Sequence, residues 1–179
     1  MDFPFTKSFI TSLGLIKDAA ARANLRLKLL PANKARAISR AAKEVWKEKH
    51  HDQFPIDVFQ TGSGTSSNMN ANEVIANLAS KNSKLNIGPN DDVNMSQSSN
   101  DVIPTAIKIS AHIDLTKKLY PALDKLINEI QTKAKSLKGV TKTGRTHLMD
   151  AMPIDFSDEL LAWSSQLSAC RNMLEVIEE

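Results

Sequence analysis

The fold is decided by the stretch Val93-Asn94-Met95-Ser96-Gln97-Ser98-Ser99-Asn100-Asp101-Val102-Ile103-Pro104, which opens the longest predicted helix. Asn100 or Asp101 is predicted to cap this helix, and Pro104 suits a first helical turn, where a missing N–H removes no hydrogen bond. A helix N-terminus exposes free N–H groups and carries a partial positive charge. The small polar residues that stand there, Ser98, Ser99 and Asn100, therefore predict either a simple cap or a site for a carboxylate or phosphate.

Apolar residues that recur every three or four positions predict an all-helical chain. The helices are predicted at residues 7–30, 34–50, 68–80, 101–138 and 156 to the end. The buried stripe of the first helix is predicted to be Phe9, Leu13, Ile16, Ala20, Ala23 and Leu27, and that of the last helix Leu160, Trp163, Leu167, Cys170, Leu174 and Ile177. Residues 52–61 are predicted to be extended. Pro121 is expected to kink the longest helix without dividing it.

Composition excludes several classes of protein. The 179 residues carry a formal net charge of +3, with few aromatic residues and no long basic run, which argues against a nucleic-acid partner. No apolar run approaches the roughly eighteen residues of a membrane span, and the N-terminus lacks a signal-peptide pattern. A cytoplasmic protein is expected, with a processed organellar form as the alternative. The single cysteine, Cys170, excludes an internal disulfide and is expected to be a buried thiol.

The last predicted helix has no stop signal. It ends without Gly, Asn or Pro, and Glu175, Glu178 and Glu179 lie where the helix dipole disfavours negative charge. We therefore expect the natural chain to continue. The two long helices also need further helices to cover their apolar stripes, either from the same chain or from other subunits.

Two other stretches carry polar residues of chemical interest. The first, Gly62-Ser63-Gly64-Thr65-Ser66-Ser67-Asn68-Met69-Asn70, lacks the Gly-Lys-Ser/Thr ending of a nucleotide-binding loop, so a nucleotide site is rejected. Its glycines permit close approach of the backbone to a ligand, and Ser63 and Thr65 offer hydroxyl donors. The second is Gly144-Arg145-Thr146-His147, in which the histidine alone would be read as a loop residue.

Taken together and in this order, the stretches 62–70, 96–101 and 144–147 resemble those of the class II fumarases in the fumarase/aspartase superfamily. The resemblance extends from about residue 9 to the end. It implies an all-α fold, with a small helical N-terminal domain at 1–96 and the first, incomplete part of a bundle of long helices at 97–179. It also implies a homotetramer in which several subunits contribute to each active site.

The function that the resemblance implies is the reversible anti addition of water to fumarate, giving (S)-malate, a step of the tricarboxylic acid cycle. No cofactor, metal, nucleic acid or membrane is implied. The resemblance makes His147 a catalytic acid/base residue at the leaving hydroxyl, and makes these residues substrate-binding: Ser63, Gly64, Thr65, Ser98, Ser99, Asn100 and Thr146. The chemistry agrees, because donors at a helix start can stabilise an aci-carboxylate, and a histidine titrates near neutrality.

Two departures from the family pattern matter. The family's catalytic serine lies in a later Gly-Ser-Ser loop that these 179 residues do not contain, so the chain alone is expected not to turn over fumarate. The family also often has a histidine before Pro-Asn-Asp in a second dicarboxylate site. Here that position is Gly88, so Asn90 and Asp91 would form the second site without its cationic donor.

Two alternatives stay open from the sequence. Aspartate ammonia-lyase belongs to the same superfamily, and only the serine at position 99, where aspartases carry threonine, favours fumarase. Argininosuccinate and adenylosuccinate lyases match the histidine and loop patterns less well. A different class is a non-catalytic helical module that binds dicarboxylate or serves in assembly, which the missing serine loop favours and the three intact polar stretches oppose.

Overall fold

The computed structural model describes residues 4–60 and 62–178, and within them the chain is helical apart from one β-hairpin. The elements are α1 Lys7–Arg26, α2 Ala32–Trp46, α3 Thr65–Ser83, α4 Ser99–Asp114, α5 Tyr120–Ser136, β1 Thr141–Thr146, β2 Met149–Asp155 and α6 Phe156–Glu178. The all-α prediction is confirmed, with a two-stranded antiparallel sheet added. Among the described residues, no helix combines the length and apolar character needed to cross a bilayer.

The chain divides into two compact units, Met1–Ile113 and Asp114–Glu179, called here the N-terminal and C-terminal units. The N-terminal unit holds α1, α2, α3 and nearly all of α4 around one apolar core. The C-terminal unit holds α5, the hairpin and α6. The domain boundary between residues 96 and 97 that the sequence suggests stays a prediction.

The core of the N-terminal unit is formed mainly by small and branched side chains of α1, α2, α3 and α4. On α2 the three-four spacing predicts that Ile38, Ala41, Ala42, Val45 and Trp46 face inward; the first four are buried and Trp46 is half-buried. On α1 the prediction is partly wrong, because Ala23 is exposed and Leu27 is 67% exposed. Since α1 ends at Arg26, Leu27 follows the last helical residue. Phe9 and Leu13 of the predicted stripe are buried, and the other buried residues of α1 are Ser8, Ile10, Ser12, Gly14, Lys17, Asp18, Ala21 and Asn24.

Helix α3 begins at Thr65, three residues before its predicted start. The side chain of Gln60 explains the early start, because its Oε1 accepts a hydrogen bond from the Ser67 backbone N–H at 3.0 Å. It thereby satisfies one of the N–H groups that a first helical turn leaves free. The predicted extended segment 52–61 is wrong at its start, where residues up to Gln53 form a short 3₁₀ turn. Thr61 lies outside the described residues.

Helix α4 begins at Ser99 and is capped by Ser98. The Ser98 hydroxyl oxygen accepts from the Asn100 N–H at 3.2 Å, and its carbonyl accepts from the next two N–H groups at 3.0 Å. The prediction that Asn100 or Asp101 caps the helix is therefore wrong. Pro104 lies just past the first turn, where it leaves the Asn100 carbonyl without its usual helical donor.

The helical segment does not stop at Pro121. The residues Leu115–Leu119 form a π-helical turn between α4 and α5, and the proline follows in the first turn of α5. A proline cannot donate a helical hydrogen bond, and a wider turn beside it is a common way to absorb this defect. The prediction that the pattern runs through Pro121 is confirmed.

The hairpin between Thr141 and Asp155 is a feature for which no strand is predicted from the sequence. Its two-residue turn, His147-Leu148, has positive φ at both positions, +51° and +62°. Such a type I′ turn is usually written with Asn-Gly, and neither residue is present here. The sequence therefore contains no recognisable signal for a hairpin at this turn.

Helix α6 packs against α5 along one face. Leu160 and Ser164 are buried there, and Arg171 Nε lies 2.6 Å from an Asp124 carboxylate oxygen. The predicted stripe is only partly buried, because Trp163 is 49% exposed and Ile177 is 79% exposed. Cys170 is also exposed, so the prediction of a buried thiol is wrong. Within the C-terminal unit, α5 covers one face of α6. The predicted apolar stripe extends beyond that face, so part of it is exposed.

Candidate functional site

The N-terminal ends of α3 and α4 lie against each other in the N-terminal unit. A Cβ on Gly64, the residue before α3, would lie 2.7–3.0 Å from side-chain atoms of Ile103 on α4. Asn68 of α3 donates from Nδ2 to the Ser99 hydroxyl oxygen at 2.9 Å. The structure thus brings together the first two stretches that the sequence singles out.

The side chains at these helix starts are hydrogen-bonding groups open to solvent. Ser63 and Thr65 are exposed and their hydroxyl oxygens lie 2.9 Å apart. Ser98 and Asn100 are exposed and Ser99 is half-buried. Two adjacent helix N-termini add their partial positive charges to these donors. The arrangement suits a small anion, and a carboxylate in particular.

Gly64 is expected to be intolerant of a side chain. Gly64→Ala should destabilise the N-terminal unit by about 2–4 kcal/mol, since its φ of +72° disfavours alanine and its Cβ would collide with Ile103. Gly62→Ala is the matched control, because Gly62 has a φ of +86° but nothing within 4 Å of a Cβ. Thermal unfolding of both variants measures the difference, and equal losses would contradict the close-contact explanation.

A buried polar network lies behind the start of α4. Lys17 of α1 donates from Nζ to Asn94 Oδ1 at 2.9 Å and to Gln97 Oε1 at 3.0 Å. Asn68 Nδ2 also donates to Asn94 Oδ1, at 3.3 Å. Gln97 Nε2 in turn donates to the backbone carbonyls of Val93 and Met95. These contacts tie the segment before α4 to two other helices.

Lys17 has an unusual environment for a lysine. Its relative exposure is 0%, and it forms no ion pair within the described part of the chain. Burial disfavours the charged amine and lowers the pKa of Lys17 from its ordinary value of 10.5 to about 7. Both protonation states are therefore populated near neutrality.

The lowered pKa of Lys17 predicts a stability that rises with pH. Between pH 7 and 10.5 the unfolded chain holds this proton and the folded chain does not, so raising the pH favours folding. Between pH 7 and pH 9 the gain should be about 2 kcal/mol. The free energy of unfolding in urea is measured against pH for the wild type and for Lys17→Met. The difference between the two isolates the contribution of Lys17, since the other groups titrate in both proteins. Parallel pH dependences of the two proteins would contradict the prediction.

Thr146 and His147 lie in the C-terminal unit, at the end of β1 and the start of its turn, and both are exposed. A left-handed backbone is uncommon for His147 and costly for Leu148, so this turn is a strained segment. Gly144 is required in β1, because a Cβ there would lie 2.6 Å from the Met152 carbonyl oxygen. The hairpin thus holds the imidazole at a fixed, solvent-accessible tip.

Asn90 and Asp91, the proposed second dicarboxylate site, are exposed on a π-helical turn, Pro89–Val93. The neighbouring Asp92 fixes this turn through its ion pair with Lys34 at 2.7 Å and the Gly88 N–H at 2.8 Å. Their role in binding stays a prediction. Within residues 4–60 and 62–178, no three His, Cys, Asp or Glu side chains lie close enough to hold a metal ion.

Sequence reasoning does not identify Lys17, Asn94 and Gln97 as parts of the site. A signal was available for Lys17, since it lies four residues after Leu13 and four before Ala21, both of which are buried. Asn94 and Gln97 stand in a polar connector where any residue looks solvent-exposed. Asn68 carried a weak signal, because asparagine is a poor helix former and α3 contains several.

The fold and these helix starts define an all-helical protein with a site suited to a carboxylate. A protein-family model described as "Lyase" matches residues 1–179, the whole of the chain. The chain therefore belongs to this lyase family.

Known relatives agree with this membership. The chain is 55% identical to a class II fumarate hydratase of Xylella fastidiosa, over 90% of this chain and 34% of that relative. Its structure is similar to a fumarate lyase/delta crystallin from Brucella melitensis, with a TM-score of 0.92, 40% identity and coverage of 99% of this chain and 43% of the other. It is also similar to a class II fumarase from Schistosoma mansoni, with a TM-score of 0.89, 38% identity and coverage of 95% and 37%.

These findings confirm the resemblance to class II fumarases. The chain spans about a third of the length of the curated relatives that it matches.

Proposed function

We propose that the protein is a fumarate hydratase that adds water reversibly, in anti fashion, to fumarate to give (S)-malate. The observation that carries the proposal is the pair of adjacent helix N-termini, with Ser63 and Thr65 on one and Ser98, Ser99 and Asn100 on the other. The names of its relatives support the same reaction.

The donors at the start of α4 would act on the substrate carboxylate next to the carbanionic carbon. When malate loses a proton from C3, the electron pair of that C–H bond moves into the adjacent carboxylate, which becomes an aci-carboxylate. This group then carries two negative charges, one more than the carboxylate, and Ser98, Ser99 and Asn100 offer O–H and N–H groups to it. Because this charge is largest in the transition state, such donors lower the barrier more than they strengthen substrate binding.

His147 would serve the other half of the reaction. The C2–O bond of malate breaks as the alkene forms, and the leaving oxygen must receive a proton to depart as water. A protonated imidazole can donate this proton and recover one from solvent. His147 lies at the exposed tip of the hairpin, where the ring is accessible to solvent.

The test of the proposed function is a comparison of two substrates with the complete gene product. Purified enzyme is supplied with (S)-malate or with L-aspartate, and fumarate formation is followed by its ultraviolet absorbance. A hydratase should favour malate in kcat/KM by orders of magnitude. Preference for aspartate would replace the proposal with aspartate ammonia-lyase, and activity on neither would favour a non-catalytic helical module.

We further propose that the protein works in the cytoplasm as a homotetramer assembled through its long helices. The exposed apolar side chains on α6 support assembly: Trp163, Met173, Val176 and Ile177 are each about half exposed or more. Unpartnered apolar surface of this kind typically marks an interface. Light scattering of the complete gene product should give the mass of four subunits, and a monodisperse monomer at high concentration would contradict this.

A further inference from the structure

The connector that leads into α4 contains one backbone hydrogen bond within it, from the Gln97 N–H to the Asn94 carbonyl at 3.1 Å. Residues 94–97 form neither helix nor strand, and Ser96 has a φ of +60°. A left-handed conformation costs a non-glycine residue free energy, so side-chain contacts must stabilise it. Ser98, the cap of α4, follows directly. Whatever fixes the connector therefore also fixes the start of this helix.

Two side chains of α1 reach this connector: Asn24 donates from Nδ2 to the Met95 carbonyl at 2.9 Å, and Lys17 contacts two of its side chains. The Lys17 amine donates to the side-chain oxygens of both Asn94 and Gln97, at 2.9 Å and 3.0 Å. An amine on a lysine carries only donors when charged, so it selects the oxygen of each amide and turns each amide nitrogen the other way. The Gln97 nitrogen then donates to two connector carbonyls, at 2.9 Å and 3.1 Å.

The same network reaches the hydroxyl of Ser99. Asn94 Oδ1 accepts from Lys17 and also from Asn68 Nδ2, and Asn68 Nδ2 donates to Ser99 Oγ at 2.9 Å. Because Ser99 Oγ accepts in this contact, its own hydrogen is free to be donated elsewhere. The network thus leaves Ser99 oriented as a donor.

A buried lysine without a carboxylate partner costs stability, because an amine loses hydration on burial. An apolar side chain of the same length, such as methionine, would fill the space without that cost. The contribution that methionine cannot make is the pair of directed hydrogen bonds to the connector.

We propose that Lys17 positions the carboxylate-binding start of α4 by holding the side-chain oxygens of Asn94 and Gln97. This inference rests on the proposed function, since it assigns Lys17 to the site of that reaction. Lys17 acts through these amides and is a positioning residue, with no direct contact to substrate.

The test is a kinetic double-mutant cycle on the complete gene product. Lys17→Met should lower kcat/KM for fumarate at least 10-fold while the protein remains folded. Asn94→Ala should have a similar effect. The double variant should be little worse than either single variant, because both remove the same link. Additive losses in the double variant, or a kcat/KM within twofold of wild type in Lys17→Met, would overturn the proposal.

Lys34→Met is the matched control, because Lys34 also contacts the segment before α4 but through Asp92. It should lower thermal stability and leave kcat/KM near the wild-type value. A purely structural role for Lys17 would give both lysine variants the same pattern, which would contradict the proposal.

A second readout does not depend on the reaction. Hydrogen–deuterium exchange of the backbone amides at 94–100 should be faster in Lys17→Met than in wild type, with α2 unchanged. Unchanged exchange there would contradict the positioning role. Absence of fumarate turnover by the wild type would instead contradict the proposed function. Failure of the positioning role and failure of the proposed function are therefore distinguishable.

Discussion

Replacing His147 by asparagine is expected to lower kcat for fumarate hydration by roughly 10²- to 10⁴-fold, the usual contribution of a general acid or base. Asparagine suits the test, because it tolerates the positive φ of this turn better than most residues. It keeps a polar side chain but cannot carry the proton at neutral pH. The hairpin should therefore survive while the proton transfer is lost.

Steady-state kinetics of the complete gene product checks this result. His112→Gln is the control, since it removes an exposed imidazole twelve residues along α4 from Asn100 and should leave kcat unchanged. A kcat for His147→Asn within threefold of wild type would remove this residue from the catalytic role.

The second large effect is expected at Asn100. Asn100→Ala should lower kcat by about 10²- to 10³-fold, the cost of removing one donor to a developing oxyanion. Among the described residues, the Asn100 side chain has no hydrogen-bond partner, so its amide is available to a ligand. Alanine is also the better helix former, which argues that α4 remains folded.

Asn77→Ala is the matched control for this change, because Asn77 is an exposed asparagine on α3. Thermal unfolding of both variants should show no loss of stability. A rise in KM alone, or equal kinetic effects of the two substitutions, would mean that Asn100 does not act on the transition state.

Long-range packing could be predicted from the sequence where the pattern was strictly periodic. The inner residues of α2 and the helical run through Pro121 follow from a three-four alternation alone. The predicted buried stripe of α6 was only partly correct. An apolar pattern shows which residues are suited to burial, but only a neighbouring element decides which are covered, and within the C-terminal unit α5 covers one side.

Local hydrogen bonding explains the errors at the ends of elements. The start of α3 depends on the Gln60 side chain, which lies outside the helix, and the cap of α4 is Ser98 because its hydroxyl reaches the Asn100 N–H. Several neighbouring residues could have served equally well by type. The hairpin was missed for a similar reason, since His147-Leu148 is not a typical type I′ turn.

The polar stretches of the candidate site could be identified from the sequence, but the residues that hold them in place could not. Serine, threonine and asparagine at two helix starts predict either helix caps or a site for an anion. Lys17 was hidden because a lysine on a helix is normally solvated, and its burial follows from a contact with residues 77 and 80 positions away. Local sequence patterns cannot predict a contact between residues so far apart in the chain.

The most direct test of the account is the stereochemistry of hydration in D₂O. Fumarate is incubated with the complete gene product and the malate formed is examined by proton NMR. The account predicts (S)-malate with a single deuteron at C3, as one diastereomer in which hydroxyl and deuteron were added to opposite faces. No malate, or a mixture of C3 diastereomers, would contradict it.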